Sequence, residues 1–124
     1  MRITPVARSS QQIQFTSTAG DAIASWMGTE PPALGRTIDV VLEIEATLPW
    51  SELSLVDDAP GMHTTDFGTV LRGRVEAVDQ TGALTLSACA TIVLVETDGV
   101  PPTDPVGRVV QLPATRIAAY PTGI

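Results

Sequence analysis

The chain has 124 residues, 44% hydrophobic and 17% charged, which suits one core-forming domain and excludes an intrinsically disordered segment. Seven arginines, no lysine and 14 carboxylates leave a formal net charge of −7, which repels polyanions and favours a basic partner; without lysine, Schiff-base and phosphate-loop chemistry are excluded. One cysteine, Cys89, excludes an internal disulfide and fits a reducing compartment. Residues 1–8 hold no continuous apolar stretch, so no secretory signal is expected, and with no apolar run of about 18 residues the expected location is the cytoplasm.

Residues 12–16 alternate polar and apolar side chains and predict a short strand. Asp21 is placed to cap one helical turn in which Ile23, Trp26 and Met27 share a face, ended by Gly28; a continuing strand is the competing reading. Residues 29–35 hold Pro31-Pro32 and read as a connection. The clearest strand is 38–47. Ile38, Val40, Leu42, Ile44 and Ala46 fall on one face, with Asp39, Val41, Glu43, Glu45 and Thr47 on the other. This predicts one core face and one solvated face.

After Leu48-Pro49-Trp50, residues 51–56 read as a brief helical turn or an edge segment, and 57–68 as a polar loop of about twelve residues. Residues 71–96 read as a hairpin. Leu71, Gly73, Val75 and Ala77 alternate with Arg72, Arg74, Glu76 and Val78, and Asp79-Gln80-Thr81-Gly82 turns the chain. Leu84 and Leu86 resume the pattern, and 87–95 are apolar on both faces, as in a strand covered on both sides or closing a small barrel. Residues 98–105 form a proline-dense connection, and 108–112 and 116–120 predict two further strands.

These elements predict an all-β, mainly antiparallel fold. The expected form is a small OB-like barrel or sandwich of about five to seven strands, with at most one or two short helical turns. The whole chain, 1–124, reads as one domain, with 1–28 an N-terminal strand/turn segment and 37–120 the main barrel. Over about sixty residues, the strand pair around 79–82 resembles the coiled hairpin of oligonucleotide/oligosaccharide-binding barrels. That likeness is architectural and carries no function.

Arg72 and Arg74 share a strand face; if 71–78 pairs with 38–47, Glu43 and Glu45 stand across from them. With Arg108 and Arg116 they make the alternative site, an anion or single-stranded nucleic-acid surface, although only Phe15, Trp26, Trp50, Phe67 and Tyr120 are available for stacking. Asp57, Asp58, His63 and Asp66 gather three carboxylates and the only imidazole within ten residues, at spacings that match no calcium loop or zinc motif, so no metal is expected. Cys89 lies among Ala88, Ala90, Ile92 and Val93 and reads as a small buried hydrophobe. No nucleophile elbow, phosphate loop or dinucleotide fingerprint is present, which points to a non-enzymatic protein without a cofactor.

Trp50, at the end of an amphipathic strand, is either a packed corner residue or an anchor for a partner. The leading expectation is an acidic β-barrel acting by protein–protein interaction, as an accessory, inhibitory or immunity-like subunit. Its contact surface is Trp50, Asp57, Asp58, His63 and Asp66, and its partner is basic. The alternatives are the anion-binding barrel and a structural subunit of a larger assembly. A homodimer through an edge strand near Arg108 or Arg116 is a further expectation.

Overall fold

Alternation of buried and more exposed side chains runs through the longer extended segments, and the computed structural model folds accordingly. It describes residues 1–66, 68–89, 91–113 and 116–122. Among these are eleven strands: β1 (Arg2–Ser9), β2 (Gln12–Ser17), β3 (Gly20–Trp26), β4 (Ile38–Pro49), β5 (Ser54–Val56), β6 (Gly61–Thr65), β7 (Gly68–Val78), β8 (Ala83–Ala88), β9 (Thr91–Asp98), β10 (Val109–Pro113) and β11 (Ile117–Pro121). The helical content described is one short 3-10 turn, Trp50–Glu52. The all-β class is as expected, but the strands outnumber the five to seven anticipated.

The hydrogen-bonded order is β1-β2-β3-β11-β4-β9-β8-β7-β10-β5, with β6 joining β3 to β7 and β1 also pairing β4. The barrel closes through the eight-strand circuit β1-β2-β3-β6-β7-β8-β9-β4, bridged by β11 and extended by β10 and β5. Most ladders are antiparallel; β3–β11, β3–β6 and β4–β9 are parallel. One core runs through the circuit, with Ile3, Ile13 and Phe15 in the same cluster as Leu71, Leu84, Leu86, Val93 and Val95.

Four local expectations change. Residues 20–26 are strand, not a helical turn: β3 is paired with β2 along its length, and Ala22 and Ala24 are its inward residues. The segment 57–68 is not one long loop. Gly61–Thr65 forms β6, held by the β7 ladder and by buried Met62, whose N–H donates to the Ala19 carbonyl at 2.7 Å.

The 71–96 hairpin is a three-stranded meander, because the chain reverses a second time beside Cys89 at φ 48°. A residue in that left-handed turn cannot continue a strand, so 87–95 is not a single run. β7 does not pair with β4; β8 and β9 lie between them. The arginine–glutamate ladder expected from that pairing is therefore absent among the described residues.

The 79–82 turn is built as expected. Asp79 Oδ1 accepts from the Thr81 N–H at 2.8 Å, the Thr81 hydroxyl at 2.7 Å and the Ala83 N–H at 2.9 Å. Gly82 takes φ 92°, and its carbonyl accepts from the Thr97 N–H at 2.8 Å, tying the turn to β9. Among the described residues no helix is long and apolar enough to cross a membrane.

Candidate partner-binding surfaces

Pro49 ends β4, and Trp50 opens the 3-10 turn that redirects the chain into β5. The Trp50 ring is half-buried and packs against the core, as a corner residue does, yet one side stays open. There it lines a groove of about 380 Å³ with Ser51, Leu53, Leu55, Val100 and Pro102. Val100 is 88% exposed, held outward by the proline-dense segment that follows β9. Beside the groove runs β5, which pairs among the described residues only with β10 and so ends the sheet. Exposed carboxylates flank this corner: Glu52 before β5, Asp57 and Asp58 after it, and Asp98 at the end of β9.

The other acidic-segment residues spread along the neighbouring hairpin. Asp58 lies 3.8 Å from the Arg72 guanidinium, and Gly61 stands opposite Arg72 in the β6–β7 ladder. His63, half-buried, faces Val70 two rungs further on, and Asp66 is exposed in the turn after β6. Among the described residues no three His, Cys, Asp or Glu side chains come together as a metal site requires.

The four arginines do not form one surface. Arg72 and Arg74 share the outer side of β7 beside β10, and the Arg74 guanidinium donates to the Gly107 carbonyl at 2.8 Å. Arg108 is exposed next to them, its carbonyl accepting from the Val75 N–H. Arg116 lies away from this group, where its carbonyl accepts from the Glu45 N–H. The expected edge strands are also interior: among the described residues β10 is paired with β7 and β5, and β11 with β3 and β4, which leaves neither as an edge strand for a homodimer.

Of the aromatics, Phe15 is in the core, and Trp26 donates its indole N–H to the Glu30 carbonyl at 2.7 Å. Phe67 lies outside the described residues. Cys89, expected to be buried, is exposed, because the turn between β8 and β9 carries it out of the sheet.

A second surface was not anticipated. Ile92 and Leu94 point outward from β9 at 56% and 58% exposure, and Val41 points outward from β4 at 51%. Glu43 pairs with Leu94 in the β4–β9 ladder, and Glu45 and Glu96 continue the same outer face. Tyr120, across from Val41 on β11, donates its hydroxyl to Glu45 Oε1 at 2.7 Å. That bond, more than desolvation or the Coulomb effect of the two glutamates, raises the Tyr120 pKa above its ordinary 10.0. The sequence signal for this face is the two-sided apolar character of 87–95; the structure covers one side of β9 and leaves the other open.

Compared with protein-family models, with curated proteins and with solved structures, the chain finds no match. What the fold defines is an all-β barrel with extra strands.

Proposed function

We propose that this chain is a non-enzymatic interaction domain, an accessory, inhibitory or immunity-like subunit that captures a basic protein partner at the Trp50 corner. The observation that carries this reading is the groove beside β5, whose second edge pairs with no strand among the described residues. Trp50, Leu53, Leu55 and Val100 offer an apolar slot, and β5 offers backbone donors and acceptors to an incoming extended segment.

Tryptophan at the mouth of a partly desolvated slot is the residue type most enriched among interface hot spots. Glu52, Asp57, Asp58 and Asp98 around it select lysine or arginine on the partner, in keeping with the net charge of −7. His63 and Asp66 extend the surface along the β6–β7 hairpin. The proposal places the protein in the cytoplasm, with no cofactor.

The test is affinity capture from native lysate with the wild-type chain, with Trp50→Ala/Asp58→Ala and with Val100→Ser. Circular dichroism checks that each variant is folded. Val100 is almost wholly exposed, so its substitution leaves the core untouched. The proposal expects a partner retained by the wild type and diminished with both variants. Undiminished capture by folded variants removes this surface.

A further inference from the structure

β9 carries aliphatic residues on both of its faces, but the chain covers only one. Val93 and Val95 are in the core, each 1% exposed, while Ile92 and Leu94 alternate with them into solvent. A strand apolar on both sides is ordinary where both faces are covered. Isolated exposed aliphatic residues need no explanation, but side-by-side ones on a regular sheet face mark a contact surface. Here Val41 on β4 joins Ile92 and Leu94 on the adjoining strand.

The surroundings of these three side chains say what covers them. Glu43, Glu45 and Glu96 project from the same two strands and are exposed. Of the arginines next to β4, Arg2 on β1 stands opposite Asp39 and lies 4.0 Å from its carboxylate, and exposed Arg116 just precedes β11, its carbonyl accepting from the Glu45 N–H; the three glutamates outnumber them on this face. A second copy docked face to face across a two-fold axis would bring these carboxylates against their own counterparts. Nucleic acid and anionic membrane surfaces are repelled for the same reason.

We propose that the outer face of β4 and β9 docks a basic protein segment, whose aliphatic side chains cover Val41, Ile92 and Leu94 and whose arginine or lysine side chains meet Glu43, Glu45 and Glu96. Association then joins apolar burial at the centre to charge complementarity at the rim, the usual division of labour in a specific interface. This surface uses other side chains than the Trp50 corner, Val41, Ile92 and Leu94 lying further back on the two strands that run into it.

The experiment is methyl NMR on the full chain, titrated with a synthetic peptide alternating leucine with arginine. Control peptides alternate leucine with glutamate and serine with arginine. The leucine–arginine peptide is expected to shift the Val41, Ile92 and Leu94 methyl signals, and the controls are not. Ile92→Ser/Leu94→Ser, at exposed positions that leave the core intact, should weaken binding by about tenfold or more. Glu43→Gln/Glu96→Gln should weaken it at low salt and flatten its salt dependence.

Four results overturn the proposal: equal binding of either control peptide, shifts confined to other methyls, an oligonucleotide shifting the same three residues, or concentration-dependent shifts without peptide. The last would make a second copy the occupant.

Discussion

Glu43 stands directly across from Leu94 in the parallel β4–β9 ladder, so an exposed carboxylate and an exposed leucine share one row of the outer sheet. Leu86, on the next strand, points the other way and is fully buried. The two leucines therefore predict opposite outcomes. Leu86→Ala should cost about 2–5 kcal/mol, through lost transfer energy and the cavity left behind. Leu94→Ala should change stability by no more than about 0.5 kcal/mol. Urea unfolding of both variants checks the pair; similar costs would mean that the outer face is covered by the chain itself.

Closure at β6 depends on close backbone approach. Gly20, at φ 126°, pairs with Met62, and a Cβ there would overlap the Met62 carbonyl oxygen. Gly20→Ala should therefore destabilise the fold by about 2–4 kcal/mol, combining backbone strain with steric overlap. Thermal melts measure the effect. A melting temperature equal to wild type would show that the β3–β6 contact does not constrain the barrel.

Tyr120 is the only tyrosine, so its ionisation can be followed directly by ultraviolet absorbance. Its hydroxyl donates to Glu45, which favours the neutral phenol and raises its pKa above 10.0. A raised folded-state value means that this stabilisation is present below the unfolded pKa and is lost as pH rises through the folded one, above pH 10.0. Glu45→Gln should move the midpoint back down. An unmoved midpoint would place the cause elsewhere.

Asp79 has the opposite sign. The Thr81 hydroxyl first, then the Ala83 N–H, hold its carboxylate below the ordinary 3.8, against an opposing desolvation. Its stabilisation is present above the unfolded pKa and lost as pH falls through the lower folded value. Carbon-detected NMR titration should find the Asp79 midpoint below 3.8, and Thr81→Val should raise it.

Cys89 should be labelled by a thiol reagent in the native state, without prior unfolding, because it is exposed at a turn. Labelling that waits for unfolding would return it to the core.

Alternation was enough to make the longer two-faced strands legible. Residues 12–16, 38–47 and 71–78 appear as β2, β4 and β7 within a few positions, because one face of each must be buried. The 79–82 turn was legible from Asp79 and Gly82, whose chemistry is local.

Long-range pairing was not. Nothing local marks that β8 and β9 separate β7 from β4, so the partners of Arg72 and Arg74 were misplaced and β10 was taken for an edge. β6 was hidden because Gly61, His63 and Thr65 look like loop residues; only the β7 ladder and the burial of Met62 make the segment a strand. Trp50 was legible as a corner. Its groove was not, because Val100 and Pro102 come from a segment half a chain away.

The most direct measurement of the central claim, that partner capture occurs at the Trp50 corner, is amide hydrogen exchange on the free chain and on the chain with its captured partner. The account predicts new protection at Ser54–Val56 and around Val100 on binding. Protection elsewhere, with β5 exchanging as it does in the free chain, would contradict it.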